Sequence, residues 1–245
     1  MIRDGLQNQN GKPIRSFLLI GQSNMAGRGD IGSVPAIENP NCHMFRMGRW
    51  QKMREPINPD RGIFEGSTRS GVGLGASFAD EVAVRLGCQV GLIPCADGGT
   101  TIDQWEEGGV LFDHAVLMTR LAMRTSTLSG ILWHQGESDC NVTDEICAAH
   151  KEKFRTMITA LRRELGAEEL PLLIGELSRY FAPGYRMENR HLTLNRQYHE
   201  LVTEIPHSAV ISSEGLTLKE DGLHFDTSSL RTFGKRYAEA YFSLI

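Results

Sequence analysis

Five short runs of nearly unbroken apolar residues recur along the chain: Phe17 to Ile20, Val90 to Ile93, Ile131 to Trp133, Leu172 to Ile174 and Ala209 to Ile211. A strand with one wet face alternates polar and apolar residues, so runs without alternation read as strands covered on both faces. Between them the apolar spacing changes to a helical period. It does so at Phe154, Met157, Ile158, Leu161 and Leu165, again at Leu194, Tyr198, Leu201, Val202 and Ile205, and last at Leu230, Phe233, Tyr237, Tyr241 and Leu244. Gly166 stops the first of these segments and Pro206 the second. Strand and helix alternate throughout. The pattern predicts a three-layer α/β/α fold with a central, mostly five-stranded parallel sheet and right-handed crossovers.

In such a sheet ligands bind beyond the carboxyl ends of the strands. Each run is followed by polar or glycine-rich sequence: GQSNMAGRG, ADGGTTIDQW, HQGESD, GELSRYF and SSEGLTLKEDGLHF. Distant in sequence, these five segments are expected to meet at one rim. The stretch from Met25 to Ser70 has little periodicity and contains Pro35, Pro40, Pro56 and Pro59. A long loop of that kind in a compact domain is usually functional or disordered, and it reads as a wall or lid over the rim, with a plain surface excursion as the alternative.

Composition narrows the picture. The 245 residues are 40% hydrophobic and 23% charged, without a low-complexity tract, and read as one domain over 1–245. The net charge of -4 is spread over interleaved acids and bases, which excludes the basic field that nucleic acid or an anionic membrane surface requires. The polar start, MIRDGLQNQNGKPIR, has no signal-peptide or membrane-span pattern, so a cytoplasmic location is expected. Five cysteines without a CxxC pair argue against a disulfide framework or zinc cluster, and Cys88 and Cys95 read as small core residues.

The candidate chemistry begins at Ser23, directly after a buried strand and between Gln22 and Asn24. It is not the GxSxG elbow, because Met25 stands where glycine is required. An isolated serine there is equally a turn residue. Asp221 lies three residues before His224, a spacing at which a carboxylate orients one ring nitrogen while the other faces a serine hydroxyl. Gly98 and Gly99 allow close backbone approach, and the Gln135 amide is a candidate donor. With the Ser23 N–H, they suggest an oxyanion hole.

Each of these has a rival reading. Gly98 and Gly99 also fit a plain tight turn, and Gln135 a structural hydrogen bond. Glu137 competes with Asp221 as the orienting acid. His134, Glu137 and Asp139 are metal-ligand types, but their spacing is not HExxH. GVGLGA, at Gly71 to Ala76, matches a dinucleotide fingerprint in form, yet it follows an irregular segment and reads better as the glycines opening a helix. Trp105 either stacks on a sugar ring or belongs to the core.

Taken together, GQSNMAGRG, GGTTIDQW, WHQGESD and DGLHFD, in that order, resemble the acetyl xylan esterase and sialate O-acetylesterase branch of the SGNH hydrolases. The resemblance runs from Ser16 to the C-terminal helix and implies a flavodoxin-like SGNH fold. It implies Ser23 as nucleophile, His224 as base and Asp221 as its orienter, with Ser23, Gly99 and Gln135 forming the oxyanion hole. Gln22, Asn24, Gly98, Glu137 and Trp105 are then supporting or substrate-binding residues, with no metal or organic cofactor. GQS in place of the commoner GDS, and Gln135 in place of asparagine, fit that branch. The implied substrate is an acetylated carbohydrate, either xylan fragments or sialic acid. Other esterases of the same fold (lipase, thioesterase or arylesterase) and a non-catalytic carbohydrate-binding protein are the alternatives.

Overall fold

The computed structural model describes residues 14–59, 69–185 and 187–245; the polar start of the chain and part of the proline-containing stretch lie outside them. The described residues form one seven-stranded sheet from β1 (Ile14–Gly21), β2 (Cys42–Arg46), β3 (Arg49–Lys52), β4 (Val90–Pro94), β5 (Ser126–His134), β6 (Leu172–Gly175) and β7 (Ser208–Ile211). The order across the sheet is β3-β2-β4-β1-β5-β6-β7, and every neighbouring pair is parallel except β2 with β3. All five apolar runs lie on strands.

The absence of alternation in those runs has a direct cause. Leu18, Ile20, Ile131, Trp133, Leu172 and Ile174 face one helical layer, whereas Phe17, Leu19, Leu132 and Leu173 face the other. Each such side chain contributes about 1.5–3 kcal/mol by leaving water. The first layer holds α3 (Val110–Ala122), α5 (Asp144–Leu165) and α6 (Arg190–Glu204). The second holds α2 (Leu74–Leu86) and α7 (Thr227–Ser243), where Phe17 meets Phe78 and Tyr241 edge to face at 4.9 and 5.1 Å. Single turns α1 (Ser23–Ala26) and α4 (Glu137–Cys140) follow β1 and β5.

Helix ends obey the chemistry of their sequences. Thr143 and Asp226 accept from backbone N–H groups in the first turns of α5 and α7, Gly166 closes α5, and Gly73 opens α2, the role expected of the GVGLGA glycines. Cys95 is buried and Cys88 half-buried against the core, and all five cysteines are free thiols.

The described part of the stretch 25–70 is more regular than its proline content suggests. It supplies the β2–β3 hairpin, which lengthens the five-stranded core of the sheet at one edge. The hairpin turns at Met47 and Gly48, with φ of 51° and 74°, values suited to a tight two-residue turn that Asn-Gly normally announces.

The topology places a switch point at β1. The chain reaches β4 on one side of β1 and then crosses to β5 on the other, so the carboxyl ends of β4, β1 and β5 open onto one crevice. Gly21 ends β1 with φ of 130°, and a Cβ there would lie 2.1 Å from the His134 carbonyl oxygen. Replacing Gly21 with alanine is therefore expected to cost on the order of 3 kcal/mol from combined strain and overpacking. Thermal unfolding checks this, with a midpoint lowered by roughly 6–12 °C at this chain length.

Candidate active site

Ser23 lies just past β1, separated from it by Gln22, and its Oγ lies 3.0 Å from Nε2 of His224. The other ring nitrogen, Nδ1, is 2.8 Å from Oδ2 of Asp221. Asp221 is held by its own turn: Oδ1 accepts from the Leu223 and His224 N–H groups, each at 2.9 Å. Partial burial alone would raise the Asp221 carboxyl, but those N–H groups and the His224 ring together hold it below its ordinary range. An ionised Asp221 fixes the tautomer with hydrogen on Nδ1, leaving Nε2 to accept from the serine hydroxyl.

Glu137, the rival acid, is engaged elsewhere. It is buried, and its Oε1 accepts from Nδ2 of Asn24 at 2.6 Å and lies 3.1 Å from Nε2 of His134. Burial would raise its pKa, but His134 and Asn24 outweigh that and keep it lowered. Asn24 has a second task, since its Oδ1 accepts from the Phe225 N–H at 3.0 Å. One side chain thus ties the serine turn to the segments carrying Glu137 and His224.

The loop after β4 supplies the opposite wall. Gly99 has φ of 77°, a conformation glycine adopts without strain. A Cβ at Gly98 would lie 2.4 Å from an Arg28 guanidinium nitrogen and 3.8 Å from the Ser23 Cβ, so the two glycines bring backbone close to Ser23. The N–H groups of Ser23 and Gly99 are not engaged by the surrounding backbone hydrogen bonds of the described residues. They are available to an anion beside Ser23.

Two expectations need correction. Gln135 does not face the crevice: it is fully buried, its Nε2 donates to the Thr100 carbonyl at 2.8 Å and to Asp139, and both amide hydrogens are engaged. It braces the glycine loop from beneath, and its amide is not free to meet an oxyanion. Trp105 is also fully buried, edge to face with Trp133 at 5.5 Å, and donates to the Thr100 hydroxyl at 3.1 Å. It supports the same loop and cannot stack on a sugar. Asp139 completes the brace by accepting from the Ile102 N–H at 3.1 Å. His134 pairs with Glu137 while Asp139 faces this loop, so the three metal-ligand types do not converge on one point.

The crevice has a volume of about 320 Å³ and is lined by Gln22, Ser23, Gly98, Gly99, Glu137 and His224 among others. Arg28, Tyr185 and Met187 also line it, and sequence reasoning did not single them out. The signal for Arg28 was its place in GQSNMAGRG. Tyr185 and Met187 come from an irregular segment with no periodicity to orient it. Burial lowers the Arg28 pKa, with Asp97 opposing that shift. Among the described residues, no helix is long and apolar enough to cross a membrane.

Known proteins share this sequence pattern and fold. Residues 13–243 match the model of a family described as carbohydrate esterase, sialic acid-specific acetylesterase. A probable carbohydrate esterase of Arabidopsis thaliana is 32% identical over 251 residues, covering 94% of this chain and 91% of the relative. The X-ray structure of that Arabidopsis protein superposes with a TM-score of 0.82 at 28% identity, over 95% of this chain and 99% of the other. NanS superposes with a TM-score of 0.70 at 15% identity, over 95% and 98% of the two chains. A lipase/acylhydrolase from Enterococcus faecalis, with a TM-score of 0.57 at 15% identity over 92% and 94%, shares the SGNH-hydrolase fold.

Proposed function

The chain belongs to the carbohydrate esterase family of sialic acid-specific acetylesterases and is a carboxylic ester hydrolase, and we propose that it removes O-acetyl groups from sugars through an acetyl-enzyme on Ser23. The observation that carries this reading is the hydrogen-bonded series Asp221, His224, Ser23, with separations of 2.8 and 3.0 Å, at the edge of the crevice. As Ser23 Oγ attacks the acetyl carbonyl carbon, His224 Nε2 takes its proton and the carbonyl π pair moves onto oxygen, beside the Ser23 and Gly99 N–H groups. Collapse of this intermediate breaks the bond to the sugar oxygen, which leaves as a hydroxyl with the proton from His224. Water, deprotonated by His224 in turn, attacks the acetyl-serine, and acetate departs as Ser23 recovers its proton.

A crevice of about 320 Å³ is at the small end of ligand sites and suits a sugar bearing an acetyl group better than a long acyl chain. Between the two candidate sugars, sialic acid fits better. Arg28 gives the wall a cation that pairs with a sugar carboxylate and has no counterpart on a neutral xylan fragment. Acetate release from O-acetylated sialic acid is expected to exceed that from acetylated xylo-oligosaccharides by roughly tenfold or more in kcat/KM. Among activated esters, acetate should outpace octanoate by a similar factor of about ten. Faster release from xylan fragments would reassign the sugar. Faster octanoate turnover would favour a lipase.

A further inference from the structure

With the Gln135 amide engaged beneath the glycine loop, the oxyanion site has two backbone donors and lacks the third that the sequence suggested. A different carboxamide stands beside the nucleophile. Gln22 precedes Ser23, lines the crevice, and its Oε1 accepts from the Gly136 N–H at 3.2 Å and the Ser138 N–H at 3.3 Å. Both of those groups are donors, which fixes the oxygen on their side and Nε2 on the other.

That Nε2 makes no hydrogen bond to the described residues, yet it is absent from the buried side-chain nitrogens and oxygens that lack a partner. The Gln22 residue is only 2% exposed, and the opening left to it is the crevice it lines. The amide hydrogens therefore open into the crevice without an acceptor among the described residues, placed to meet one that the reacting ester brings.

We propose that the Gln22 carboxamide, held through its oxygen by the β5 loop, donates Nε2–H to the oxyanion formed on the substrate carbonyl, as the third donor with the Ser23 and Gly99 N–H groups. The chemistry of the GQS sequence follows. Aspartate at position 22, as in GDS, can accept but, when ionised, has no hydrogen to give. Glutamine both accepts and donates. The bond strengthens as negative charge gathers on the carbonyl oxygen, so it lowers the barrier more than it tightens substrate binding.

This inference rests on the acetyl-serine reading, and the test separates the two. Gln22→Glu keeps the acceptor for Gly136 and Ser138 and removes the donor; Gln22→Met removes both. With an activated acetate ester, both variants are expected to lose roughly 10²- to 10³-fold in kcat, with KM held within about threefold. A melting curve of Gln22→Glu checks that the fold is retained. The ratio of its kcat to the parent's rises as pH falls through the carboxylate range, because a protonated carboxyl regains an O–H donor. In the unmutated protein, the side-chain amide protons of Gln22, followed by nuclear magnetic resonance, shift downfield when a small alkyl boronic acid forms its tetrahedral adduct on Ser23.

Gln22→Glu activity within about threefold of the parent, or a loss confined to Gln22→Met, overturns the donor role. An amide shift at Gln135 instead of Gln22 overturns it without any variant having to fold. Substantial activity in Ser23→Ala defeats the acetyl-serine reading itself, whatever Gln22 does.

Discussion

Ser23→Ala is expected to lower kcat on an activated acetate ester by roughly 10⁴- to 10⁶-fold, the scale on which loss of a nucleophile from an interdependent triad is felt. Among the described residues the hydroxyl makes one side-chain hydrogen bond, to His224, and the neighbouring packing belongs to Met25, Ala26 and the β1 core, so the fold should survive unchanged. KM for the same ester should move little, since the lost bond is one that forms during the reaction. Steady-state kinetics beside a melting curve checks both halves. A variant retaining activity within about tenfold of the parent would falsify the assignment of Ser23.

The second large effect is expected at Asp221. Asp221→Asn retains an oxygen for the Leu223 and His224 N–H groups, so the turn stays formed, but it presents an amide to Nδ1 where the carboxylate accepted a hydrogen. The ring then favours the tautomer with hydrogen on Nε2, which cannot take the serine proton. A loss of roughly 10³- to 10⁴-fold in kcat follows, comparable to the same exchange in serine proteases. Glu137→Gln should lose much less, because Glu137 contacts Asn24 and His134 and does not touch the base. If the two variants ranked the other way, Glu137 would be the orienting acid.

The parts of this site that were legible in the sequence are those whose geometry is local. Ser23 sits two residues past a strand end, and Asp221 reaches His224 within a four-residue turn, so position along the chain nearly dictates position in space. Gln135 is different. Its place after β5 was clear, but the direction of its amide depends on the Thr100 carbonyl and Asp139, which are fixed by the packing of another loop. Trp105 carried no periodic signal to separate core from crevice, and its burial against Trp133 is settled only by tertiary contact. The β2–β3 hairpin escaped detection because its strands have five and four residues and its turn is Met-Gly. Two arginines at its closing pair, Arg46 and Arg49, hid the alternation further.

The bridge made by Asn24 has one more consequence. It joins Phe225, 201 positions away, to Glu137, 113 positions away, and the Ser23 to His224 contact closes a span of 201 as well. Contacts of such length form late, after the intervening chain has paid its loss of freedom. Under the proposed mechanism hydrolysis depends on β1, β5 and the segment before α7 having come together, and an incompletely assembled chain carries all the right residues without the reaction. Ester turnover is in this sense a census of finished molecules, recording the last stage of folding where a helical signal records only the first.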